Sequence, residues 1–454
     1  MRALVRENAL CAFLAGVGSA TIAWLGLYGF AWNDYEREAL PAFSALTRGH
    51  VLEFLRLVPA YGGSLVERAP FALLPGLWGG GQLAVYRMVA LPCLLAGGAL
   101  GVWLVAQMRA AGRPVLWRAV ALGVCVANPL TIRALELGHP EELLGGVLCV
   151  AAVLLAARER PLWAGLALGL AIANKEWALL AVGPVLLALP QRRVLCLLSM
   201  SAVVGFLTVP LMLVGSGAFV AGARGVASPA TVIFQPMQVF WFLGHHSANA
   251  GRLLGAVKHD FRLAPTWIGE VSHPLVIAVA APLSWLAWRM RPSGGRSSTA
   301  GEHPGRGAVC QADALLLLAL LLLLRCMLDT WDNVYYPLPF ILALVVWESH
   351  ALARPPILAL AATVLVWFNV WLSVHVSADA QAAFFLVWTL PLSAGLALRL
   401  YAPGLAGRRL GAVGAYLQAD LLWPAKSRAP AQPARATAAQ EMTVSSLGSP
   451  VNTS

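Results

Sequence analysis

The sequence predicts an all-α protein that crosses a membrane with about 12 segments, and composition, hydropathy and charge placement each support this fold class. Of the 454 residues, 59% are hydrophobic and only 12% are charged, whereas a soluble domain carries about 25% charged residues. The mean hydropathy is +0.72. Such a chain has too little polar surface to fold as a compact particle in water, but a bilayer solvates apolar side chains that face outward.

The basic residues lie in short loops between apolar runs, and not on one amphipathic face. This is the distribution of the positive-inside rule, although the net charge of +11 could by itself suggest nucleic acid. We therefore expect a lipid bilayer as partner and no nucleic acid. The arginine-rich loops predict a multi-pass protein of the plasma membrane with both termini in the cytoplasm.

A membrane-crossing helix needs about 20 predominantly apolar residues. The first candidate runs from about residue 10 to residue 31, and its length favours an uncleaved helix over a signal peptide. Further candidates cover residues 83–108, 115–133, 141–157, 194–214, 273–290, 312–328, 333–350, 355–376 and 382–400.

Residues 161–189 are apolar except for Asn174, Lys175 and Glu176 at their centre. Each half is about 14 residues, or about 21 Å of helix, which is shorter than the roughly 30 Å hydrocarbon core. The segment therefore predicts a hairpin of two short helices. Its polar turn should lie in the outer half of the membrane or in a protein cavity.

These helices define one predicted membrane domain, residues 1–403. Outside the helices we expect segments of different character: extracytoplasmic loops at 32–82 and 215–272, a flexible cytoplasmic linker at 291–311, an interfacial segment at 404–426 and a disordered cytoplasmic tail at 427–454.

Asp34 follows the first predicted helix at the outer membrane boundary, and Glu36 and Glu38 come after it. A partly buried carboxylate at this position could act as a general base. Composition alone favours a simpler interpretation, in which Asp34 is a solvated loop carboxylate that pairs with Arg37 or Arg48.

The stretch around GHPEE falls on the same side of the membrane. Pro140 suits the first turn of a helix, and Glu141 and Glu142 complement the positive end of that helix. Capping accounts for one of the two acids, but less well for the nearby Arg133 and His139. A structural cap and the wall of a binding site both remain open.

Lys175 needs an anion, because a charge at membrane depth is costly unless it is paired. The neighbouring Glu176 is the simple candidate for that anion. A phosphate group is the other and the favoured one, since lysine serves as a point charge for phosphoryl groups and Arg133 and His139 should lie on the same side.

Asp329 and Asp332 are three residues apart in RCMLDTWDNVYY. They either form a turn beside an interfacial belt of aromatic residues or, if a helix continues, share one face as a carboxylate pair for a metal. Turn chemistry is the favoured interpretation. The sequence predicts no cofactor and leaves a divalent metal open.

Four features in chain order resemble the glycosyltransferase-C superfamily, and within it the family 87-like polyprenyl-phosphate-mannose-dependent mannosyltransferases of actinobacteria. They are Asp34 in a long first outer loop, GHPEELL at the start of an apolar helix, the apolar-lysine-apolar hairpin LWAGLALGLAIANKEWALLAVGPVLLAL, and DNVYYPLPF before a late helix. The chain departs from the family pattern after Lys175, where Glu176 replaces the typical proline.

The resemblance implies an enzyme that moves a sugar, with mannose favoured, from a polyprenyl-phosphate donor to an extracytoplasmic glycolipid or glycan with inversion. It implies Asp34 as the catalytic base, although Glu36 and Glu38 remain alternatives. The residues implied at the donor phosphate or the substrate are Arg133, His139, Glu141, Lys175, Glu176 and Asp332.

A transporter or lipid flippase is the main alternative, with Lys175 and Glu176 as its substrate or proton site. The sequence shows no paired broken helices in two halves of the chain, which such transporters often have. A non-catalytic membrane scaffold is a third interpretation, in which the 215–272 loop binds a partner.

Overall fold

The computed structural model describes residues 2–28, 33–59, 62–215, 217, 219–221, 236–246, 262–290, 305–330 and 332–403. The predicted interfacial segment and tail lie outside these residues, as do residues 291–304 of the predicted linker. Residues 305–311, which sequence analysis assigned to the linker, begin a helix.

The described residues are almost entirely helical, and the structure confirms the predicted all-α class. The α-helices in chain order are α1 Arg2–Tyr28, α2 Asn33–Glu38, α3 Leu40–Thr47, α4 Val51–Leu57, α5 Gly63–Leu73, α6 Gln82–Ala110, α7 Val115–Val126, α8 Pro129–Glu136, α9 Glu141–Ala157, α10 Pro161–Asn174, α11 Val182–Ala188, α12 Arg193–Val214, α13 Thr266–Arg289, α14 Gly305–Leu328, α15 Leu338–Val346, α16 Ile357–Leu372 and α17 Ala378–Tyr401.

Short irregular elements complete the described fold. The 3₁₀-helices are Leu74–Trp78, Glu176–Ala181 and Trp241–Leu243, and a π-helix, Trp347–Ala351, follows α15. Strands β1 (His245–His246) and β2 (Arg262–Leu263) pair antiparallel, with His245 opposite Leu263. Arg262 ties this hairpin to the start of α17 through bonds of 2.8 and 2.7 Å to the Asp379 carboxylate.

Within the described residues, seven helices are long and apolar enough to cross a membrane by length and composition. These candidates are Ala9–Gly26, Gln82–Ala110, Val115–Glu136, Arg193–Val214, Thr266–Arg289, Gln311–Leu328 and Ala378–Tyr401, and shorter apolar helices cover Pro161–Asn174, Glu176–Ala188, Leu338–Ala351 and Ile357–Leu372. The chain is thus a multi-pass membrane protein.

Some helices are buried inside the bundle, whereas others expose apolar side chains on its outside. All nine residues of α15 are buried, and α14 is buried between Ala314 and Leu323. In α12, by contrast, Phe206 is 80% exposed and Leu213 is 77% exposed. An apolar side chain on the outside of the bundle is stable in lipid, so the exposed residues mark the lipid-facing helices and α14 and α15 form the centre.

Two predicted spans differ from the structure at identifiable residues. The 115–133 span falls within the candidate span Val115–Glu136, but the helix there is divided into α7 and α8, because Pro129 lacks an N–H and the Asn128 side chain caps α8 by accepting from the Leu130 amide at 3.0 Å. The 333–350 span was wrong at its start. Residues 334–337 form turns and α15 begins only at Leu338.

The polar centre of the 161–189 segment separates two helical pieces, as predicted. Lys175 adopts an extended backbone (φ −154°, ψ 133°) between α10 and the 3₁₀-helix that follows. The regular α-helix resumes only at Val182. Pro184 suits the first turn of that helix, where its missing N–H has no intrahelical partner to lose.

The predicted outer loop 32–82 is a layer of short helices, α2 to α5, with a core of its own. Tyr35, Phe43 and Phe54 pack in this core with Tyr86 from α6, and the Tyr35 and Tyr86 rings meet edge to face at 4.7 Å. The layer fixes Asp34 and Arg68 relative to the membrane helices.

Candidate functional site

Charged residues of the outer layer, α2 to α5, and of the membrane helices meet in one open cavity. The space in it, counted together with the solvent at its mouth, is about 320 Å³. The layer contributes α2 and α5, and the membrane helices contribute the α8–α9 loop and the turn at Lys175. The lining residues are Asp34, Tyr35, Glu38, Ala39, Pro59, Gly62, Ser64, Leu65, Arg68, Gly138, His139, Glu141 and Lys175.

Glu141, the first residue of α9, is the centre of the charge network. Its Oε2 lies 3.1 Å from Arg68 Nη2, and its Oε1 lies 3.3 Å from Lys175 Nζ and 2.9 Å from His139 Nδ1. Its backbone carbonyl accepts a hydrogen bond from Asn174 Nδ2 at 2.9 Å. One buried carboxylate therefore holds three cationic or ionisable partners in place.

His139 connects Glu141 to Asp34. Its Nε2 lies 3.3 Å from Asp34 Oδ2, and its ring packs at a tilt of 30° against the Tyr335 ring, with the ring centroids 5.0 Å apart. Burial lowers the pKa of His139, but its hydrogen bonds to Asp34 and Glu141 outweigh burial and raise this pKa to about 9. The imidazole is therefore protonated at neutral pH.

The backbone beside His139 depends on Gly138. Gly138 has φ +88°, a conformation that favours glycine. A Cβ at this position would lie 2.8 Å from Tyr35 Cβ. The absent side chain thus lets the α8–α9 loop approach α2 closely enough for His139 to reach Asp34.

Arg68 is a site residue that sequence analysis missed. Ser64, Leu65, Arg68 and Ala72 form the buried face of α5, and Arg68 Nε donates to the Ser64 carbonyl at 3.0 Å. An arginine in register with apolar residues at helical spacing is the signal that could have identified it. α5 also approaches α10 closely at Gly63, where a Cβ would lie 2.1 Å from the Ala173 carbonyl oxygen.

The structure brings together only some of the predicted site residues. Asp34, His139, Glu141 and Lys175 share the cavity. Arg133 pairs with Glu136 on its own helix, and Glu176 is exposed. Of the two alternatives to Asp34, Glu38 lines the cavity and Glu36 is exposed.

Glu142 belongs to a second, closed cluster, formed by Glu142, Trp177, Arg325 and Tyr336. Glu142 accepts from Trp177 Nε1 at 3.2 Å and from Arg325 Nη1 at 3.5 Å. The Arg325 guanidinium lies 4.8 Å from the Trp177 ring centroid and 4.2 Å from that of Tyr336. These contacts join α9 and α14 to the 3₁₀-helix Glu176–Ala181.

Asp332, a predicted substrate residue, is fully buried beside this closed cluster. Both of its carboxylate oxygens lack a hydrogen-bond partner among the described residues. Burial, followed by the charge of Asp329, raises the pKa of Asp332 well above its usual range. Burial therefore favours the protonated, uncharged form of this carboxyl group.

The open cavity contains the groups that a group-transfer reaction needs. Asp34 is a half-buried carboxylate, and the cations Arg68 and Lys175 share Glu141 as their counter-ion. Among the residues that the structure describes, Asp34, Glu38 and His139 could also hold a metal, since each offers a ligand atom within 4.8 Å of the others.

Comparison with known proteins gives one match. A model of glycosyltransferase family 87 matches residues 63–302, which is more than half of the chain. The matched range contains Arg68, His139, Glu141 and Lys175, whereas Asp34 precedes it. No curated protein and no solved structure matches.

Proposed function

We propose a donor, an acceptor and a set of catalytic roles for this chain, which belongs to glycosyltransferase family 87 and is therefore a multi-pass membrane glycosyltransferase. Membership in this family decides between the enzyme and the transporter or scaffold that sequence analysis left open. One observation carries the proposal: the Asp34–His139–Glu141 chain of contacts shares a cavity with Lys175 and Arg68.

The proposed donor is a sugar, with mannose favoured, linked to a polyprenyl phosphate. Lys175 and Arg68 share the single Glu141 carboxylate, so these three residues carry one net positive charge. A phosphodiester carries one negative charge and matches it. Cationic side chains that face a transferring group also stabilise the negative charge that develops on its leaving phosphate.

An apolar groove, whose space together with the adjoining solvent is about 560 Å³, supports a lipid-linked donor. It lies between the second half of the hairpin and α13, and its lining consists of Leu179, Leu180, Val182, Gly183, Ile277, Ala280, Ala281 and Ser284. The groove begins about one helical turn after Lys175 in the chain. We propose that the prenyl chain occupies this groove while its phosphate reaches Lys175.

In the proposed reaction, the acceptor hydroxyl oxygen attacks the anomeric carbon of the donor sugar. The bond between that carbon and the phosphate oxygen breaks, and its electron pair stays on the leaving polyprenyl phosphate. Asp34 accepts the hydroxyl proton, while His139 fixes the Asp34 carboxylate through Oδ2. Attack from the face opposite the phosphate inverts the anomeric centre.

We place the acceptor, a glycolipid or glycan, on the extracytoplasmic side of the plasma membrane. The positive-inside rule supports this orientation, because the loops on the opposite side of the predicted topology are rich in arginine. Both termini are then cytoplasmic.

The donor is tested with purified protein, a membrane-lipid acceptor extract and either polyprenyl-phosphate mannose or GDP-mannose. We expect release of polyprenyl phosphate and a glycosylated product from the lipid donor alone, with an inverted anomeric configuration by NMR. Transfer from GDP-mannose without lipid carrier, or a retained configuration, would overturn the proposal.

Asp34→Asn tests the base. We expect a loss of activity of at least about 100-fold, the low end of general-base effects, with unchanged expression and thermal unfolding. Glu36→Gln is the matched control, because it makes the same carboxylate-to-amide change at an exposed position of α2 and should leave activity intact. Full activity of Asp34→Asn would remove Asp34 from this role.

A further inference from the structure

We propose that Asp34, Glu38 and His139 form a binding site for one divalent cation of the Mn²⁺ or Mg²⁺ class. The binding itself is independent of the reaction proposed above. The part that the ion plays in sugar transfer rests on that proposed function.

The three side chains converge from two elements. Asp34 and Glu38 are four residues apart on α2, so both carboxylates project from one face of that helix. His139 approaches from the α8–α9 loop. The three ligand atoms lie within 4.8 Å of one another, and ligands around one cation at about 2.1–2.3 Å are separated by up to about 4.5 Å. Small side-chain rotations therefore complete the site.

The orientation of His139 is a second, independent indication of a metal. Glu141, which is not a proposed ligand, bonds Nδ1 at 2.9 Å, so Nε2 is the ring atom that faces Asp34. Metal-binding histidines almost always have their other nitrogen bonded in this way, often to a carboxylate. Arg68 and Lys175 in turn fix Glu141, and the Tyr335 ring supports the imidazole.

The charge of the cavity favours the ion when the donor is bound. The phosphodiester neutralises the single positive charge left by Lys175, Arg68 and Glu141. The carboxylates of Asp34 and Glu38 then have only the protonated His139 opposite them, which leaves the loaded cavity with one net negative charge. One divalent cation that takes the place of the proton on His139 Nε2 balances both carboxylates. Metal and donor should therefore increase each other's affinity by the same factor.

Two carboxylates and one imidazole select the class of ion. Oxygen ligands suit Mg²⁺ and Mn²⁺, and the imidazole nitrogen favours Mn²⁺ over Mg²⁺. Three protein ligands leave coordination positions that open into the cavity. A hydroxyl of the acceptor bound there would have a lowered pKa, and the second oxygen of Asp34 remains available for its proton.

The test is a titration of full-length, chelator-treated and dialysed protein with Mn²⁺, in which electron paramagnetic resonance measures the free ion. We expect one Mn²⁺ per chain. Glu38→Gln should weaken binding by at least about tenfold, the effect of a disturbed metal shell, whereas Glu36→Gln should bind like the wild type. Thermal unfolding of both variants confirms that they fold.

The outcomes separate the metal site from the proposed function. Stoichiometric binding without transfer from any polyprenyl-phosphate sugar keeps the site and overturns the function. Full transfer in the presence of chelator, with no stoichiometric Mn²⁺ bound, overturns the site and keeps the function. Equal Mn²⁺ affinity in the wild type and in Glu38→Gln also overturns the site.

Discussion

Glu141 and Glu142 are adjacent in sequence, yet they serve two clusters of opposite character. Glu141 faces the open cavity and holds Arg68, His139 and Lys175. Glu142 faces the closed cluster and holds Arg325 and Trp177. Successive residues of a helix point in directions about 100° apart, so one turn of α9 supplies both clusters.

The openness of each cluster indicates its role. The open cavity combines a half-exposed Asp34 with cations that share a counter-ion, so a substrate can still change its electrostatics. The closed cluster has Arg325 enclosed by two aromatic rings and a carboxylate, which leaves no room for a ligand. We infer that the open cavity performs the chemistry and that the closed cluster braces α9 against α14.

The bracing role makes Arg325→Gln the most damaging of these changes for stability. It leaves Glu142 buried without its cation, and breaking a buried ion pair costs about 3–5 kcal/mol. Thermal unfolding in detergent should show a large loss, whereas Arg160→Gln at an exposed position should not. A stable Arg325→Gln protein that has lost donor binding would reverse the roles of the two clusters.

Lys175→Gln tests the open cavity, where we expect a loss of activity and not of stability. In the proposed reaction Lys175 faces the leaving phosphate, so removing its charge should reduce kcat/KM for the lipid donor by about 10²–10³-fold. The matched control is Arg48→Gln, which removes an exposed cation from the outer layer. Unchanged kinetics of Lys175→Gln would show that Glu141 fully neutralises the lysine.

Glu67 is adjacent to Arg68 and could serve as its second counter-ion beside Glu141. Burial raises the pKa of Glu67 to about 8, although the charge of Arg68 opposes this shift. Glu67 is therefore mostly protonated at neutral pH and leaves the Arg68 charge to Glu141. Its usual pKa is 4.5, so the unfolded chain releases a proton that the folded chain keeps, and stability falls as pH rises from about 4.5 to about 8.

Glu67→Gln should remove this pH dependence. One pKa unit corresponds to about 1.4 kcal/mol, and solvent screening reduces the effect, so we expect a gain in stability on the order of 1 kcal/mol at pH 8 and almost none at pH 5. Thermal unfolding at both pH values measures it, with Glu36→Gln as the exposed control. An equal gain at both pH values would contradict the assigned pKa.

Asp332→Asn should have the smallest effect. Because burial favours the uncharged form of Asp332, an amide of similar shape keeps the charge of that form, and we expect a loss of stability of no more than about 1 kcal/mol, the centre of the range for single substitutions. The KM for the lipid donor should also stay the same. A tenfold rise in this KM would show that Asp332 contributes to donor binding, as sequence analysis predicted.

The membrane fold was predictable because lipid imposes a strong and local requirement on the chain. The span 141–157 coincides with α9, and the break at Lys175 was visible as a polar interruption of an apolar run. The division at Asn128-Pro129 was also readable, since both residues favour the start of a helix. The span prediction passed over it because hydropathy alone is continuous there.

The helices of the outer layer were not predictable from hydropathy. Residues 32–82 alternate short apolar and charged stretches, which the sequence presents as a loop. The apolar residues of this layer are buried only because Tyr86 from α6 and Leu211 from α12 complete the core around Tyr35 and Phe43. Arg68 was missed for the same reason, because its partner Glu141 lies 73 residues away.

The sequence by itself determined that the chain is a polytopic helical membrane protein with polar residues gathered at helix ends, because burial of apolar side chains in lipid depends only on composition and spacing. Tertiary structure decided which charges meet. Lys175 pairs with Glu141 and not with its neighbour Glu176, since adjacent residues project in different directions. Only the packing of α5, α9 and the hairpin turn determines which side chains share the cavity.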